Sequence, residues 1–233
     1  MPMTPRYSDL LEGRRIAAFL GGAGSGKTEI ALNFARGLRR ETEKTIHFFD
    51  MDQTKPLFRA RDAAAALTAA GITFHSNTDT SIEDVAAIAP GVLSALAETD
   101  SYVIMDVGGN EQGARVIGQF FRQLNTSDSA LFLPVNPYRP WSGDPVELME
   151  TIDKITAAAR AGSVQIISNP NFCDQTVAED VIAGNEKLKA MLQERYEISF
   201  VTALEPLCEA LEGCLTERVV PIRIQIVYPW QED

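Results

Sequence analysis

Short apolar runs alternate along the chain with longer segments whose apolar residues recur every three or four positions. Residues 15–20, 45–49, 72–74, 102–105, 130–135, 164–167 and 198–201 read as strands, most of them continuous apolar runs of the buried kind. Residues 28–40, 61–70, 112–124, 145–161 and 177–195 read as helices. Another helix begins at Ser81 with Glu83 and Asp84 in its first turn, is broken at Pro90-Gly91, and runs on to about Glu98. Asp144 is placed to cap the 145–161 helix, with Pro145 in its first position. Residues 218–228 look extended, and Pro221 puts that segment at a sheet edge. Strands alternating with helices predict an α/β fold, a mostly parallel twisted sheet of about seven strands with helices on both faces. No repeat, low-complexity tract or linker divides the chain, so one domain over residues 1–233 is expected.

Composition narrows the function only slightly. The 233 residues are 45% hydrophobic and 23% charged, ordinary for a globular protein. A net charge of −11 repels phosphate backbones and argues against nucleic-acid binding by the surface as a whole. Cys173, Cys208 and Cys214 form no Cys-x-x-Cys pair and have no histidine close in sequence, so they read as buried free thiols of a reducing cytosol rather than zinc ligands. Residues 1–15 lack the apolar core of a signal peptide, and no apolar run is long enough to span a bilayer. A cytoplasmic location is expected. His47 and His75, in or at the end of strands, read as structural.

One segment carries chemistry on its own. Gly21-Gly22-Ala23-Gly24-Ser25-Gly26-Lys27-Thr28 fits G-x-x-x-x-G-K-[ST], between a predicted strand and a predicted helix. In such a loop, glycines let backbone N–H groups curl around phosphate oxygens, and the helix that follows points its positive end at the same anion. Lys27 is placed to neutralise β- and γ-phosphates, and the Thr28 hydroxyl to ligate Mg²⁺. The expected nucleotide-binding set here is Gly22, Ala23, Gly24, Ser25, Gly26, Lys27, Thr28 and Glu29.

A phosphate-bound Mg²⁺ also needs hard oxygen ligands. Asp106 ends a predicted strand and begins Asp106-Val107-Gly108-Gly109, which reads as a Walker-B aspartate merged with a D-x-x-G turn. Gly109 could then offer its N–H to a γ-phosphate. The competing role for Asp106 is to cap the next helix. Val107 stands where motor-type ATPases place a water-activating glutamate. Asp50 and Asp52 end the second strand, at the sheet edge that faces a nucleotide in folds of this kind. Either could hold Mg²⁺ or orient an attacking water, so Lys27, Asp50, Asp52 and Asp106 form the expected catalytic set, and Thr28, Asp52 and Asp106 the expected metal set.

Three motifs in order, Gly21 to Thr28, then Phe48-Phe49-Asp50-Met51-Asp52-Gln53, then Ile104-Met105-Asp106-Val107-Gly108-Gly109, resemble the MinD/ParA/CobQ-like ATPases of the SIMIBI group of P-loop NTPases. The resemblance covers about the first 170 residues. It implies ATP and Mg²⁺, a sheet of seven or eight strands, and often an ATP-dependent face-to-face homodimer. Many members carry a second, signature lysine early in the loop. Gly21-Gly22-Ala23 has none, which leaves Lys55, Arg59 or Arg61 as substitutes.

Guanine-specific relatives read the base with an aspartate in N/T-K-x-D, and Ser168-Asn169-Pro170-Asn171 has neither the lysine nor an aspartate in place. ATP is therefore favoured over GTP, with Asn169 as the base contact beside Pro170. Two further segments fall at the same rim: a basic island, residues 53–61, and Asn136-Pro137-Tyr138-Arg139-Pro140-Trp141. Both suit a partner or substrate surface. Three functions remain open: a nucleotide-switch ATPase acting on a protein partner, a small-molecule kinase or ATP-dependent ligase of the dethiobiotin-synthetase type, and a non-enzymatic nucleotide-dependent scaffold.

Overall fold

The computed structural model describes residues 5–52, 64–76 and 90–226. Its strands are β1 (Ile16–Phe19), β2 (Thr45–Met51), β3 (Thr73–Ser76), β4 (Ser101–Val107), β5 (Ser129–Val135), β6 (Gln165–Ser168), β7 (Ile198–Leu204) and β8 (Val219–Ile222). They form one eight-stranded sheet in the order β3-β2-β4-β1-β5-β6-β7-β8, with every pairing parallel. The α/β architecture is the expected one. The eighth strand is the segment around Pro221, and it does lie at an edge, where a residue without an N–H is tolerated.

Helices α1 (Tyr7–Leu10), α2 (Lys27–Glu41) and α3 (Ala64–Ala69) cover one face. Helices α4 (Val92–Ala97), α5 (Glu111–Ile117), α6 (Phe121–Leu124), α7 (Pro145–Ala159) and α8 (Ala178–Leu192) cover the other. β1 shows why its sequence lacks a polar face. All four residues are buried, Ile16 and Ala18 in one core and Ala17 and Phe19 in the other. Phe34 of α2 meets the second core through Phe19 at 5.1 Å, Phe132 at 5.5 Å and Phe200 at 6.2 Å, with Tyr7 of α1 edge-on at 5.0 Å. These rings seat α2 against β1, β5 and β7 and so fix the start of that helix.

Local expectations held at several ends. Asp144 accepts from the amides of Val146 and Glu147 at 2.8 and 3.1 Å, with Pro145 in the first turn of α7. α4 starts directly after Gly91, as a break at Pro90-Gly91 requires, while the helix start at Ser81 lies outside the described residues. The helix expected over 112–124 is instead divided by a 3-10 turn at Gly118–Phe120, where Gly118 packs against the carbonyl end of α7 at Ala158. α1 was not expected at all. Its first amides, Tyr7 and Ser8, donate to the distant Glu41 carboxylate at 2.7 and 3.0 Å, a cap invisible to local pattern. The cysteines are free but not buried: Cys173 and Cys208 are half-buried and Cys214 is exposed.

Both histidines meet at the β2–β3 edge. His47 Nδ1 lies 3.0 Å from His75 Nε2, and His47 Nε2 lies 3.1 Å from Glu98 Oε2. Phe49 stacks on the His75 ring at 4.2 Å. Burial, then the His47 ring beside it, lower the His75 pKa from the usual 6.5.

Two stability measurements follow from this packing. Phe34→Ala removes the ring shared by four aromatic neighbours and is expected to cost about 3–5 kcal/mol in chemical denaturation. A cost below about 1 kcal/mol would mean α2 is seated by other contacts. A base whose pKa falls on folding supports the fold fully above its unfolded pKa and less as pH drops below it. His75→Gln should therefore flatten the fall in unfolding free energy below about pH 6.5. An unchanged pH slope would remove His75 from that role.

Candidate functional site: a clamped phosphate loop at the carboxyl edge

A parallel sheet brings the carboxyl ends of its strands to one edge, and every motif residue described here lies along it. The loop of residues 21–26 leaves β1 and enters α2 through Gly26, whose φ of 92° is left-handed. A Cβ on Gly26 would collide with the Asn169 amide, so this residue answers both a conformational and a steric demand. Lys27, buried, folds back and donates to the Gly22 carbonyl at 2.9 Å. The next three carbonyls are each met by a different side chain. Trp141 Nε1 donates to Ala23 O at 2.8 Å, Arg139 Nε to Gly24 O at 3.1 Å, and Asn169 Nδ2 to Ser25 O at 2.8 Å. With the carbonyls held this way, the amides of Gly24, Gly26 and Thr28 have no hydrogen-bond acceptor among the described residues. That arrangement is a nest for an anion at a helix N-terminus.

The acidic residues gather beside it. Asp50 and Asp106 sit in register on the adjacent strands β2 and β4, and Asp52 donates its amide to Asp50 Oδ1 at 3.1 Å. All three are buried. Both Asp106 carboxylate oxygens lack a well-directed hydrogen bond among the described residues. Burial above all, then the neighbouring Asp50 and, last, Asp52, push the Asp106 carboxyl up to about 7, against the opposing pull of the Thr28 hydroxyl and Lys27. Asn110, not Asp106, caps α5, accepting from Gly113 N at 2.8 Å. The capping role is thus filled, and Asp106 faces the loop instead. The D-x-x-G turn passes directly over Lys27: a methyl group on Gly109 would stand 3.0 Å from its Nζ. Gly108 lies against the Asp52 carboxylate.

On the other side of the loop opens a cavity of about 350 Å³. Its walls come from the loop and first turn of α2, from Asn169, Pro170 and Asn171 after β6, from Thr202 to Leu204 on β7, and from Ile222, Ile224 and Ile226. The Asn169 side chain borders this cavity with both its groups engaged, since Oδ1 accepts from Thr202 Oγ1 at 2.7 Å while Nδ2 holds Ser25. Glu29 also borders it, but its carboxylate turns to the chain after β8 and accepts from the Gln225 amide. Burial raises the Glu29 carboxyl to about 7. Four residues further along α2, Asn33 pairs with both backbone groups of Arg223, at 2.9 and 2.8 Å.

Sequence reasoning assembled the loop and the three aspartates, and the structure brings them together. It did not anticipate that Arg139 and Trp141, read as a partner surface, reach back onto the loop. The signal was the Tyr-Arg-Pro-Trp run after β5, but its use depends on β5 lying next to β1. The missing signature lysine also has a physical counterpart. The Trp141 ring lies on Gly22 so closely that any Cβ there would overlap it. Lys55, Arg59 and Arg61, and with them the basic island, lie outside the described residues.

Comparison with known proteins adds fold but no sequence kin. No protein-family model and no curated protein matches the chain. Among solved structures, the cell division protein FtsY of Thermotoga maritima aligns with a TM-score of 0.53 and 16% identity, over 85% of this chain and 69% of that one. The signal recognition particle receptor FtsY from Elizabethkingia anophelis, in complex with GDP, gives 0.51 and 16%, over 84% and 63%. Chloroplast FtsY from Physcomitrella patens gives 0.52 and 14%, over 84% and 64%. The chain spans roughly two thirds of the length of these neighbours. The fold is the α/β P-loop NTPase fold, shared with these structures. The neighbours do not single out the MinD/ParA branch. Among the described residues, no helix is long and apolar enough to cross a membrane.

Buried like charges make a direct prediction. Asp106→Asn relieves the repulsion with Asp50 and is expected to stabilise the ligand-free protein by about 0.5–2 kcal/mol in denaturation with a chelator present. A destabilised variant would show that Asp106 is held by net attraction to Lys27.

Proposed function

We propose that this chain is a Mg²⁺-dependent nucleotide-switch ATPase that acts on a protein partner in the cytoplasm. The observation that carries the reading is the convergence of Lys27, a carbonyl-clamped glycine loop and three buried aspartates at one edge of a P-loop NTPase sheet. The clamped loop suits a polyphosphate, with Lys27 turning from the Gly22 carbonyl to the phosphate charge. The donor set suits magnesium. Thr28, Asp106 and Asp52, with Asp50 adjacent, offer only hard oxygens, and the Asp106 oxygens lack the hydrogen bonds that buried carboxylates ordinarily have. When bound, the metal supplies charge neutralisation for the phosphates. In this chain Asp50 or Asp52 would orient the attacking water, and Gly109, above Lys27, would respond to a γ-phosphate.

Two observations support ATP as the nucleotide. The segment after β6 has no aspartate placed to pair with guanine, and the cavity beside the loop has an apolar side made by Pro170, Leu204, Ile222, Ile224 and Ile226. A base held by that apolar side at Pro170 needs no carboxylate, and Asn169, engaged by Ser25 and Thr202, is left to hold the loop rather than the base. The protein-partner reading draws support from the turn after β4, where Gly109 lies against the Lys27 ammonium and Gly108 against the Asp52 carboxylate. The closed position at Gly22 favours a switch that does without a lysine reaching across a homodimer from that residue.

The test is calorimetric titration of ATP and GTP with Mg²⁺, paired with size-exclusion chromatography in a non-hydrolysable analogue. ATP-selective binding is the expected result, and a shift to dimer would add a homodimeric partner. Selectivity for GTP would overturn the base assignment, and absence of binding to either would overturn the function. Lys27→Ala should lose a charge-assisted contact of about 1.5–3 kcal/mol, at least a tenfold loss of nucleotide affinity in a folded protein.

A further inference from the structure

We propose that Trp141, Arg139 and Asn169 are positioning residues that hold the phosphate loop in its ligand-ready shape before any nucleotide arrives. The inference rests on reading residues 21–28 as the phosphate site, and it assigns to three side chains outside that motif the work of shaping it. Four of the six residues from 21 to 26 are glycine, so the loop has little intrinsic preference for one conformation. Left alone, such a segment loses much backbone freedom when a ligand orders it, and that loss weakens binding.

The structure moves the ordering into the folded state. Ala23, Gly24 and Ser25 each give their carbonyl to a separate side-chain N–H, at 2.8, 3.1 and 2.8 Å. The Trp141 ring also fills the space over Gly22, so the loop cannot fold outward there. The clamps are themselves held. Asn136 ties the loop after β5 to the loop after β6 by donating to Asn171 O at 2.9 Å. Tyr138 stacks on Phe172 at 4.3 Å and donates to Asp180 O at 2.6 Å. Asn169 is braced by Thr202. Two neighbouring strands thus carry a rigid outer frame, and the loop is pinned to it through carbonyls that face away from the amides a phosphate would use. Trp141 and Asn169 act through the loop backbone, which makes their effect independent of the base.

Trp141→Phe keeps most of the ring over Gly22 and removes one N–H, while Arg139→Lys keeps the charge and removes the planar donor. Each variant, checked for an unchanged melting temperature, is compared with wild type in two ways. One is affinity for ATP and for inorganic tripolyphosphate with Mg²⁺. The other is hydrogen exchange of the 21–28 segment without ligand. The expected result is a three- to tenfold loss of affinity, equal for ATP and tripolyphosphate, with faster exchange in the loop. Unchanged affinity and exchange in both folded variants would overturn the proposal, as would a loss confined to ATP. A wild-type protein that binds neither ligand would refute the phosphate-site reading beneath it, and unchanged exchange would refute the clamp by itself.

Discussion

A loop that presents its amides to an anion turns its carbonyls the other way, and those carbonyls still need donors. In this molecule that constraint organises the β5–β6 side of the carboxyl edge of the sheet. Gly22, Ala23, Gly24 and Ser25 are answered by Lys27, Trp141, Arg139 and Asn169 in turn. An unmet buried carbonyl costs roughly 1–3 kcal/mol, which bears on the buried Gly22 and Ser25, while at the exposed Ala23 and Gly24 the side-chain donors take the place of water. The parallel order of β1, β5 and β6 puts two loops within reach to supply the donors. Asn136 and Tyr138, which make no hydrogen bond to the phosphate loop among the described residues, become intelligible as the frame behind those donors.

The opposite side of the loop is built on a different principle. Where the β5–β6 side is satisfied, the β2–β4 side is held under electrostatic tension. Asp50 and Asp106 face each other in register, and Asp106 lies fully buried with its pKa raised. A protein selected for stability alone would replace such a pair, since buried like charges lower stability and nothing in the sheet requires carboxylates there. Lys27 offsets part of the cost from across the site, but it also donates to Gly22, so its charge is shared between the two sides.

How much of this could be read in the sequence depends on the range of the interaction. The phosphate loop was legible because its residues are covalent neighbours, and Asp50, Asp52 and Asp106 because strand ends can be found from hydrophobic runs. Asp106 was legible only in part. A capping role for it was the competing reading, until Asn110 proved to cap α5. Trp141 and Arg139 were seen as notable residues but aimed outward, because nothing local says that the strand before them lies beside β1. Asn169 was read as the base contact, an amide at the end of a strand. Yet its two groups are engaged by Ser25 and Thr202, residues 144 and 33 positions away. α1 escaped for the same cause, its cap being Glu41 at the far end of α2.

These two halves together constrain what kind of motion the site can support. On the β5–β6 side, loop, frame and cavity form one connected body. Glu29 and Asn33 of α2 hold the Gln225 and Arg223 backbone, so the isoleucine wall of the cavity is tied to the same helix that begins at Lys27. Movement there would break several hydrogen bonds at once. On the β2–β4 side, the charges already oppose one another, and Gly108 and Gly109 bring bare backbone against Asp52 and Lys27. On the proposed switch reading, a phosphate or metal that alters the balance of charge would find its mobile response on this second side, while the first keeps the ligand in place. On that reading, a rigid binding half joined to an electrostatically poised half would let a change of one phosphate be converted into a change of surface.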